Sequence, residues 1–520
     1  MQSHSSFTSR FPPAWTWLVD EAIPNFVKSH YSPKEGWKDK PFTSKDAEFF
    51  FKGIRELSEL FTEDRPRQMP AYLAHPKYRS SYLLYFVPLQ AAKFNTVFQL
   101  HPQAMEAAVN HGRKTGTLRI LDLGAGPGTA SLGFLLWFLD QKFPTDSFPE
   151  NFKIEFEWFD TNRTIMEDGK ALVEMVASHF PKLRGRVKVT NHTANWSQAP
   201  TIIKDESSLI LMGHVLNESN AKSGMGAEGD FERNSPARHI IRMFDKMHGG
   251  GILMIEPAEK RSSQLISQIR DQIFESQGLA PKASSVWGPC LHAGRCPLAI
   301  GRDWCHFSIP AEIPGKWFKL FSKNMSSEKQ WVKFSYVWLA AESSPSVVQA
   351  AHLRRVISDP MKKPGLPNSV LLCEPEEPGR LEVPAVSVVK RGDLVNIHQV
   401  LDRRTASKTS QIIINAEAER QASKASQAGA GVIRIQPVKI SHESFDAFNS
   451  PYDGSDGDEG LSDGYNSEGS GFSAPSGRSA SSPTARTLAR NEFRTTGRAT
   501  MLKLNPTRDG PYSGKKKPRK

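Results

Sequence analysis

The feature that most constrains this chain is a strand, Leu118-Arg-Ile-Leu-Asp122, that runs straight into Gly124, Gly126 and Gly128 and then into an almost wholly apolar helix from Thr129 to Leu139. Glycine takes backbone angles closed to other residues and lets main chain approach a ligand without a side chain between. A strand–glycine turn–helix therefore predicts a ligand seat at the carboxyl end of a parallel strand. Strand signals recur beyond it, separated by helical stretches: Phe152 to Asp160, Val187–Val189, Leu209–Met212, Ile252–Ile255 and a late one at Trp331–Leu339. Pro236 following Ser235 opens a helix through Met247, and Gly249-Gly250-Gly251 stops it, as serine caps, first-turn prolines and terminal glycines do. This alternation implies a doubly wound parallel sheet. The polar–apolar alternation at 152–158 is unusual for a parallel strand covered on both faces.

The glycines are spaced by single residues, whereas a dinucleotide fingerprint wants its third glycine one place later, where Thr129 stands. That argues against a nicotinamide dehydrogenase, the weakest of the alternatives. S-Adenosylmethionine has no pyrophosphate and suits a loop that cups an amino acid and a ribose. Asp160, closing the next strand, is placed to accept hydrogen bonds from both ribose hydroxyls; the plainer alternative is that it caps the turn starting at Thr161. The expected fold class is α/β, a Rossmann-like class I methyltransferase sheet. The expected cofactor-binding set is Asp122, Gly124, Gly126, Gly128 and Asp160, with His214, Asn217 and Glu218 at the lip after the fourth strand. Glu256-Pro257 ends the fifth strand in a similar way. No Asn/Asp-Pro-Pro-aromatic motif for base amino methylation is present, and no catalytic residue is assigned.

Cys290, Cys296, Cys305 and Cys373 are the only cysteines, separated by five, eight and 67 residues. Too sparse for a secreted disulfide framework, they suit a metal. Zinc sites usually open with pairs two to four apart, so the looser gaps fit a larger cluster held by four thiolates, while nearby His292 and His306 keep zinc open. A lone cytosine-attacking thiol at Cys290 is less fitting, since such a thiol should stand alone.

Before the sheet, Thr43 to Asp46 reads as a capping box ahead of helical apolar spacing from Ala47 to Phe61, and Tyr72 to Phe98 is helical too. The reading is a helical N-terminal domain over 15–105, a methyltransferase-like domain over 106–345 with a cysteine-rich segment at 288–308, a small β-rich module over 346–404 and a disordered tail over 405–520. Within that tail, 446–470 holds seven acidic and no basic residues, and 471–520 holds twelve basic against two acidic, so neither stretch can bury a core. A net charge of +12 favours a polyanionic partner such as RNA, and Lys515–Lys520 offers an arm for it. No stretch is long and apolar enough to span a membrane. Met1–Trp15 lacks a secretory core; Ser-rich and acid-poor, it is only faintly like a transit peptide.

These residues resemble the methyltransferase-like proteins of the mitochondrial small ribosomal subunit and their bacterial relatives. The resemblance covers most of 40–395 through Ala71-Tyr-Leu-Ala74, Leu121–Thr129, His214–Glu218, Ile255-Glu-Pro257, Gly288–His292, Cys296-Pro297, Asp303–Ser308, Phe334-Ser-Tyr336 and Lys390–Asp393. It implies a fold that takes S-adenosylmethionine, a role in small-subunit assembly and translation, small-subunit ribosomal RNA and proteins as partners, and a [4Fe–4S] cluster on Cys290, Cys296, Cys305 and Cys373. A working rRNA methyltransferase is the alternative. The chain is expected to be a monomer when free, in the bacterial cytoplasm or, alternatively, the mitochondrial matrix.

Overall fold

The computed structural model describes residues 11–32, 35–62, 71–143, 148–216, 236–244, 246–275, 286–301, 303–325, 330–340, 353–363, 366–374, 379–384, 391–396, 404–405, 411–413 and 436–437. The chain divides into Met1–Phe445 and Asp446–Lys520, and all of the latter, with its acidic and basic runs, lies outside the described residues.

The helices that matter for the site are α1 (Pro13–Trp17), α2 (Ile23–Tyr31), α3 (Ser44–Thr62), α4 (Pro76–Ser81), α5 (Val87–Leu100), α6 (Pro102–Thr115), α7 (Thr129–Asp140), α8 (Arg163–His179), α9 (Pro236–Phe244), α10 (Lys260–Glu275) and α11 (Lys316–Lys323). The capping box before α3 forms: the Thr43 amide donates to Asp46 Oδ2 at 2.7 Å, and the Asp46 amide to Thr43 Oγ1 at 3.4 Å. Buried Lys28 on α2 donates to the same carboxylate at 2.7 Å, tying the first helices together.

The first sheet comprises β1 (Thr117–Leu123), β2 (Lys153–Asp160), β3 (Val187–Thr193), β4 (Leu209–Gly213), β5 (Ile252–Pro257), β6 (Val286–Gly288), β7 (Phe307–Pro310) and β8 (Trp331–Leu339). Its order is β3-β2-β1-β4-β5-β8-β6, with β7 also on β8. The first five strands are parallel and β8 runs antiparallel to β5. Leu118, Ile120, Leu209, Leu211, Leu253 and Ile255 face one core, and Leu121, Leu123, Ile210, Met212, Ile252 and Met254 face another. Burial on both faces is why these strands read as unbroken apolar runs. The first core continues into Trp15, Ile54, Phe94 and Phe98, so the N-terminal helices are a layer on the sheet. Gly133 of α7 admits α5 closely, since a Cβ there would lie 2.9 Å from the Ala91 carbonyl oxygen.

The alternation in β2 has a local cause. Ile154, Phe156 and Trp158 are buried, while the half-open face pairs across strands: Glu155 with Arg119 at 3.1 Å and Lys188 at 3.8 Å, and Glu157 with His192 at 2.6 Å. Charge pairs between neighbouring strands replace the apolar cover.

A second sheet holds β9 (Leu353–Val356), β10 (Met361–Lys363), β11 (Leu366–Glu374), β12 (Gly379–Pro384), β13 (Leu394–Asn396), β14 (Arg404–Thr405), β15 (Gln411–Ile413) and β16 (Gln436–Pro437), in the order β14-β15-β12-β11-β9-β13-β16 with β10 on β11. Strands β15 and β16 carry it past residue 405, where the sequence reading starts its tail. The apolar pair Ile412-Ile413 joins β12 in parallel, a pairing at a distance that local composition does not reveal.

Parallel strands reversing direction of winding between β1 and β4, with an antiparallel strand beside β5, make this a class I methyltransferase sheet. Its ligand position is the crevice outside the carboxyl ends of β1 and β4.

Candidate functional site

At that crevice lies a cleft of about 620 Å³, counting its open mouth, walled by Asp122, Gly124, Ala125, Gly126, Pro127, Thr129, Asp160, Gly213 and His214. The wall is largely main chain. Gly124, Gly126 and Gly128 all have left-handed φ values, 75°, 51° and 67°, but for different ends. A Cβ on Gly124 would strike Val215 at 2.6 Å and one on Gly128 the Trp158 ring at 2.1 Å, whereas one on Gly126 would meet nothing within 4 Å. Gly126 thus faces the open space, and Gly128 serves packing rather than lining. Gly169 of α8 lets the turn rest on the helix, since a Cβ there would touch the Pro127 carbonyl at 2.3 Å.

Asp160 points at the turn. Its Oδ2 accepts the Gly126 amide at 2.9 Å and its Oδ1 the Asn162 amide at 2.8 Å. The turn-capping role and the place on the cleft wall are therefore both realised. Burial raises its pKa, opposed by the amides of Asn162, Gly126 and Thr161. Each carboxylate oxygen has two acceptor directions, so the backbone bonds leave capacity for a ligand hydroxyl.

Asp122 is 1% exposed. Its Oδ2 accepts from Ser131 Oγ at 2.7 Å and the Ser131 amide at 3.2 Å, and Trp158 Nε1 donates to Ser131 Oγ at 2.9 Å. The carboxyl anchors the start of α7 beneath the loop. Burial lifts its pKa to about 7, with Asp160 adding to the rise and Ser131 working against it.

His214 follows β4 with φ at 60°, the only non-glycine residue among those described with a positive value. Its amide donates to the Ile255 carbonyl at 2.9 Å, and its Nε2 lies 3.3 Å from Nζ of buried Lys93 on α5. Asn217 and Glu218 fall outside the described residues. Glu256, fully buried, accepts the Leu216 amide at 2.8 Å and so braces the same lip.

Sequence reasoning missed the roof. Tyr72, Leu73, Tyr82, Gln90 and Phe94 close the cleft from the helical layer. Helical spacing marked them as core, and nothing local says which face looks onto a ligand; the Ala71–Ala74 motif was the one available signal. Gln90 Oε1 and Thr129 Oγ1, on residues that line the cleft, are buried without a hydrogen-bond partner in the protein.

The four cysteines come from segments next to both sheets. Cys290 follows β6, Cys296 and Cys305 lie before β7, and Cys373 lies on β11. All four are unpaired and partly accessible. Leu298, Ile357 and Leu371 form a small core to which Cys296, Cys305 and Cys373 contribute. Burial, then the charge of Cys290, raises Cys296 to about 11. Burial and the charges of other site thiols push Cys305 and Cys373 well above the usual thiol value. His292 Nδ1 lies 3.1 Å from the Gly294 carbonyl and its Nε2 3.2 Å from Cys373 Sγ, while His306 turns to Trp304 and Arg391. Among the described residues, no group of three or more His, Cys, Asp or Glu side chains is gathered tightly enough for a single metal ion. No described helix is long and apolar enough to cross a membrane.

The sequence profile of the family described as mitochondrial small ribosomal subunit Rsm22 matches residues 83–402. No curated protein matches the chain. Among solved structures, an O-methyltransferase family protein from Burkholderia thailandensis is 12% identical, with 46% of this chain and 66% of that chain covered and a TM-score of 0.25. A putative RNA methyltransferase from Pyrococcus horikoshii is 13% identical, with 46% and 83% covered and a TM-score of 0.21. The plantazolicin methyltransferase, solved with SAH, is 9% identical, with 57% and 99% covered and a TM-score of 0.23. The fold assignment rests on strand order and direction, since alignments this loose add nothing to it.

Proposed function

Because this chain belongs to the Rsm22 family of the mitochondrial small ribosomal subunit, we propose that it is an S-adenosylmethionine-binding, iron–sulfur factor in assembly of that subunit, docking on its ribosomal RNA. The family description favours the mitochondrial matrix over the bacterial cytoplasm. One observation carries the cofactor reading: the cleft wall at the carboxyl ends of β1 and β2 is bare main chain at Gly126, with Asp160 beside it.

The residues suit this ligand. The Gly124–Gly126 main chain would cup the amino-acid part and the sulfonium, Asp160 would take the ribose hydroxyls, and Gln90 and Thr129 line the same cleft with polar atoms that lack partners. When bound, the cofactor offers a methyl group on a sulfonium. The protein's part is to seat it, exclude water with the aromatic roof and hold the lip through His214, Lys93 and Glu256. Calorimetric titration with S-adenosylmethionine, SAH and NAD tests this. Binding of the first two is expected; tight NAD binding without them overturns the cofactor.

The donor set suits a [4Fe–4S] cluster: four free cysteines match the four thiolates that such a cluster takes, and Cys296, Cys305 and Cys373 pack on one small core. Cys290, Cys296, Cys305 and Cys373 would hold it, bridging the two sheets. Anaerobic purification should yield brown protein with about four irons per chain; colourless protein with one zinc refutes the cluster.

The second reading, a working rRNA methyltransferase, draws on His214, held in a left-handed conformation beside Lys93 at the lip. Strained backbone at a ligand site is a recurrent mark of function, and methyl transfer needs alignment more than acid–base groups. Comparing small-subunit rRNA methylation with and without the protein decides, an unchanged pattern leaving the assembly role alone.

A further inference from the structure

Three arginines lie about the cysteine segment, and two of them grip main chain next to a cysteine. Arg270 of α10, with no exposed side-chain surface, donates to the carbonyls of His292 and Gly294, the latter at 2.8 Å, and so pins the segment between Cys290 and Cys296. It also pairs with Asp271, whose two oxygens accept the Cys296 amide at 3.0 Å. Arg355 of β9 donates to the Pro289 carbonyl at 3.1 Å, immediately before Cys290, and to the Gly392 carbonyl at 2.8 Å. Arg391 donates to the Ile357 carbonyl and stands 3.4 Å from His306, the neighbour of Cys305.

Carbonyl partners satisfy hydrogen bonds but leave charge uncompensated. Among the described residues, the carboxylates paired with these three are Asp271, for Arg270, and the exposed Asp359, 3.5 Å from Arg391. A four-thiolate iron–sulfur cluster is dianionic in its oxidised state, and guanidiniums held by the Pro289, His292 and Gly294 carbonyls stand beside the residues that would carry that charge.

We propose that Arg270, Arg355 and Arg391 are positioning residues of the four-cysteine site: Arg270 and Arg355 fix the chain beside Cys290 and Cys296, Arg391 stands against His306 beside Cys305, and together they supply the positive charge that holds a dianionic cluster and raises its reduction potential. This rests on the iron–sulfur reading above. Reduction adds negative charge, so nearby guanidiniums favour the reduced state, and net charge and hydrogen bonding are what set such potentials. Lysine in their place keeps the charge but not the planar fork that reaches two carbonyls at once.

The test uses the full chain, purified anaerobically as wild type and as Arg270, Arg355 and Arg391 each changed to Gln and to Lys. Iron and sulfide content and visible absorption report cluster loading, and a potentiometric titration followed by EPR reports the midpoint. The Gln variants should shift the one-electron equilibrium at least tenfold toward the oxidised state, about 59 mV more negative. The Lys variants should restore the midpoint while loading less iron. Loaded Gln variants with the wild-type midpoint overturn the proposal. Should Arg270→Gln fail to fold, the partly exposed Arg355 and Arg391 decide by the same criterion. Wild-type protein without iron defeats instead the cluster reading on which this stands.

Discussion

Alanine at Gly126 and at Gly128, made separately, should have opposite consequences for ligand and fold. Both residues are left-handed, at φ 51° and 67°, so each alanine carries a backbone cost of about 1–2 kcal/mol. At Gly126 nothing more is added, because the new Cβ finds no atom within 4 Å. At Gly128 the Cβ falls 2.1 Å from the Trp158 ring, and that ring is fixed, fully buried and bonded to Ser131 Oγ at 2.9 Å. Overpacking of this kind adds about 1–3 kcal/mol. Urea denaturation followed by circular dichroism should therefore place Gly126→Ala about 1 kcal/mol below wild type and Gly128→Ala roughly 3 kcal/mol or more below it. Calorimetric titration with SAH should show the reverse order. The methyl at 126 occupies ligand space and should cost about tenfold to a hundredfold in affinity, the equivalent of 1.4–3 kcal/mol. A Gly126→Ala protein that binds SAH as wild type does would refute the seat; equal stability of the two variants would refute the packing argument.

Three further outcomes are expected. Asp122, with a folded pKa of about 7 against 3.8, binds its proton more tightly folded than unfolded. Its contribution is therefore full below about pH 4 and is lost as pH rises toward 7, by roughly 4 kcal/mol; Asp122→Asn should flatten the fall in unfolding free energy between pH 5 and 8, and an unchanged slope would assign the titration elsewhere. Lys28→Met strands the buried Asp46 carboxylate and should cost about 3–5 kcal/mol by the same denaturation, with a change under 1 kcal/mol contradicting the buried pair. Asp160→Asn should weaken SAH binding about tenfold or more through loss of charge-assisted hydrogen bonds, while leaving thermal stability within a few degrees; undiminished affinity would return Asp160 to turn-capping alone.

What could be read in the sequence was local. The Leu118–Asp122 strand, the Thr129 helix start and the late strand at Trp331–Leu339 stand where apolar period and glycine punctuation put them. The glycine turn was legible as a close-approach motif, but not the division of labour within it: only the position of Trp158 tells Gly128 from Gly126. The roof was illegible for a related reason. On α5, Phe94 packs in the core and also lines the cleft, with Gln90 one turn earlier beside it, and a helical period does not reveal which apolar residue borders empty space.

The cysteine set needed one thing that spacing cannot supply, the register of the second sheet. Cys373 lies 68 residues beyond Cys305, and it reaches the loop only because β11 pairs with β9 so that Cys373 stands opposite Arg355. Residues opposite each other share a face, so the thiol and the guanidinium that holds the Pro289 carbonyl are delivered to one place by one pairing. A slip of a single residue would turn Cys373 to the far face and separate it from Arg355 at the same stroke. Register is fixed where one face is buried, and here Leu371, packed with Leu298 of the cysteine loop and Ile357, supplies that burial. The apolar contact of Leu371 therefore does for the fourth thiol what the glycine turn does for the cleft: it specifies the position of a candidate site atom through packing alone.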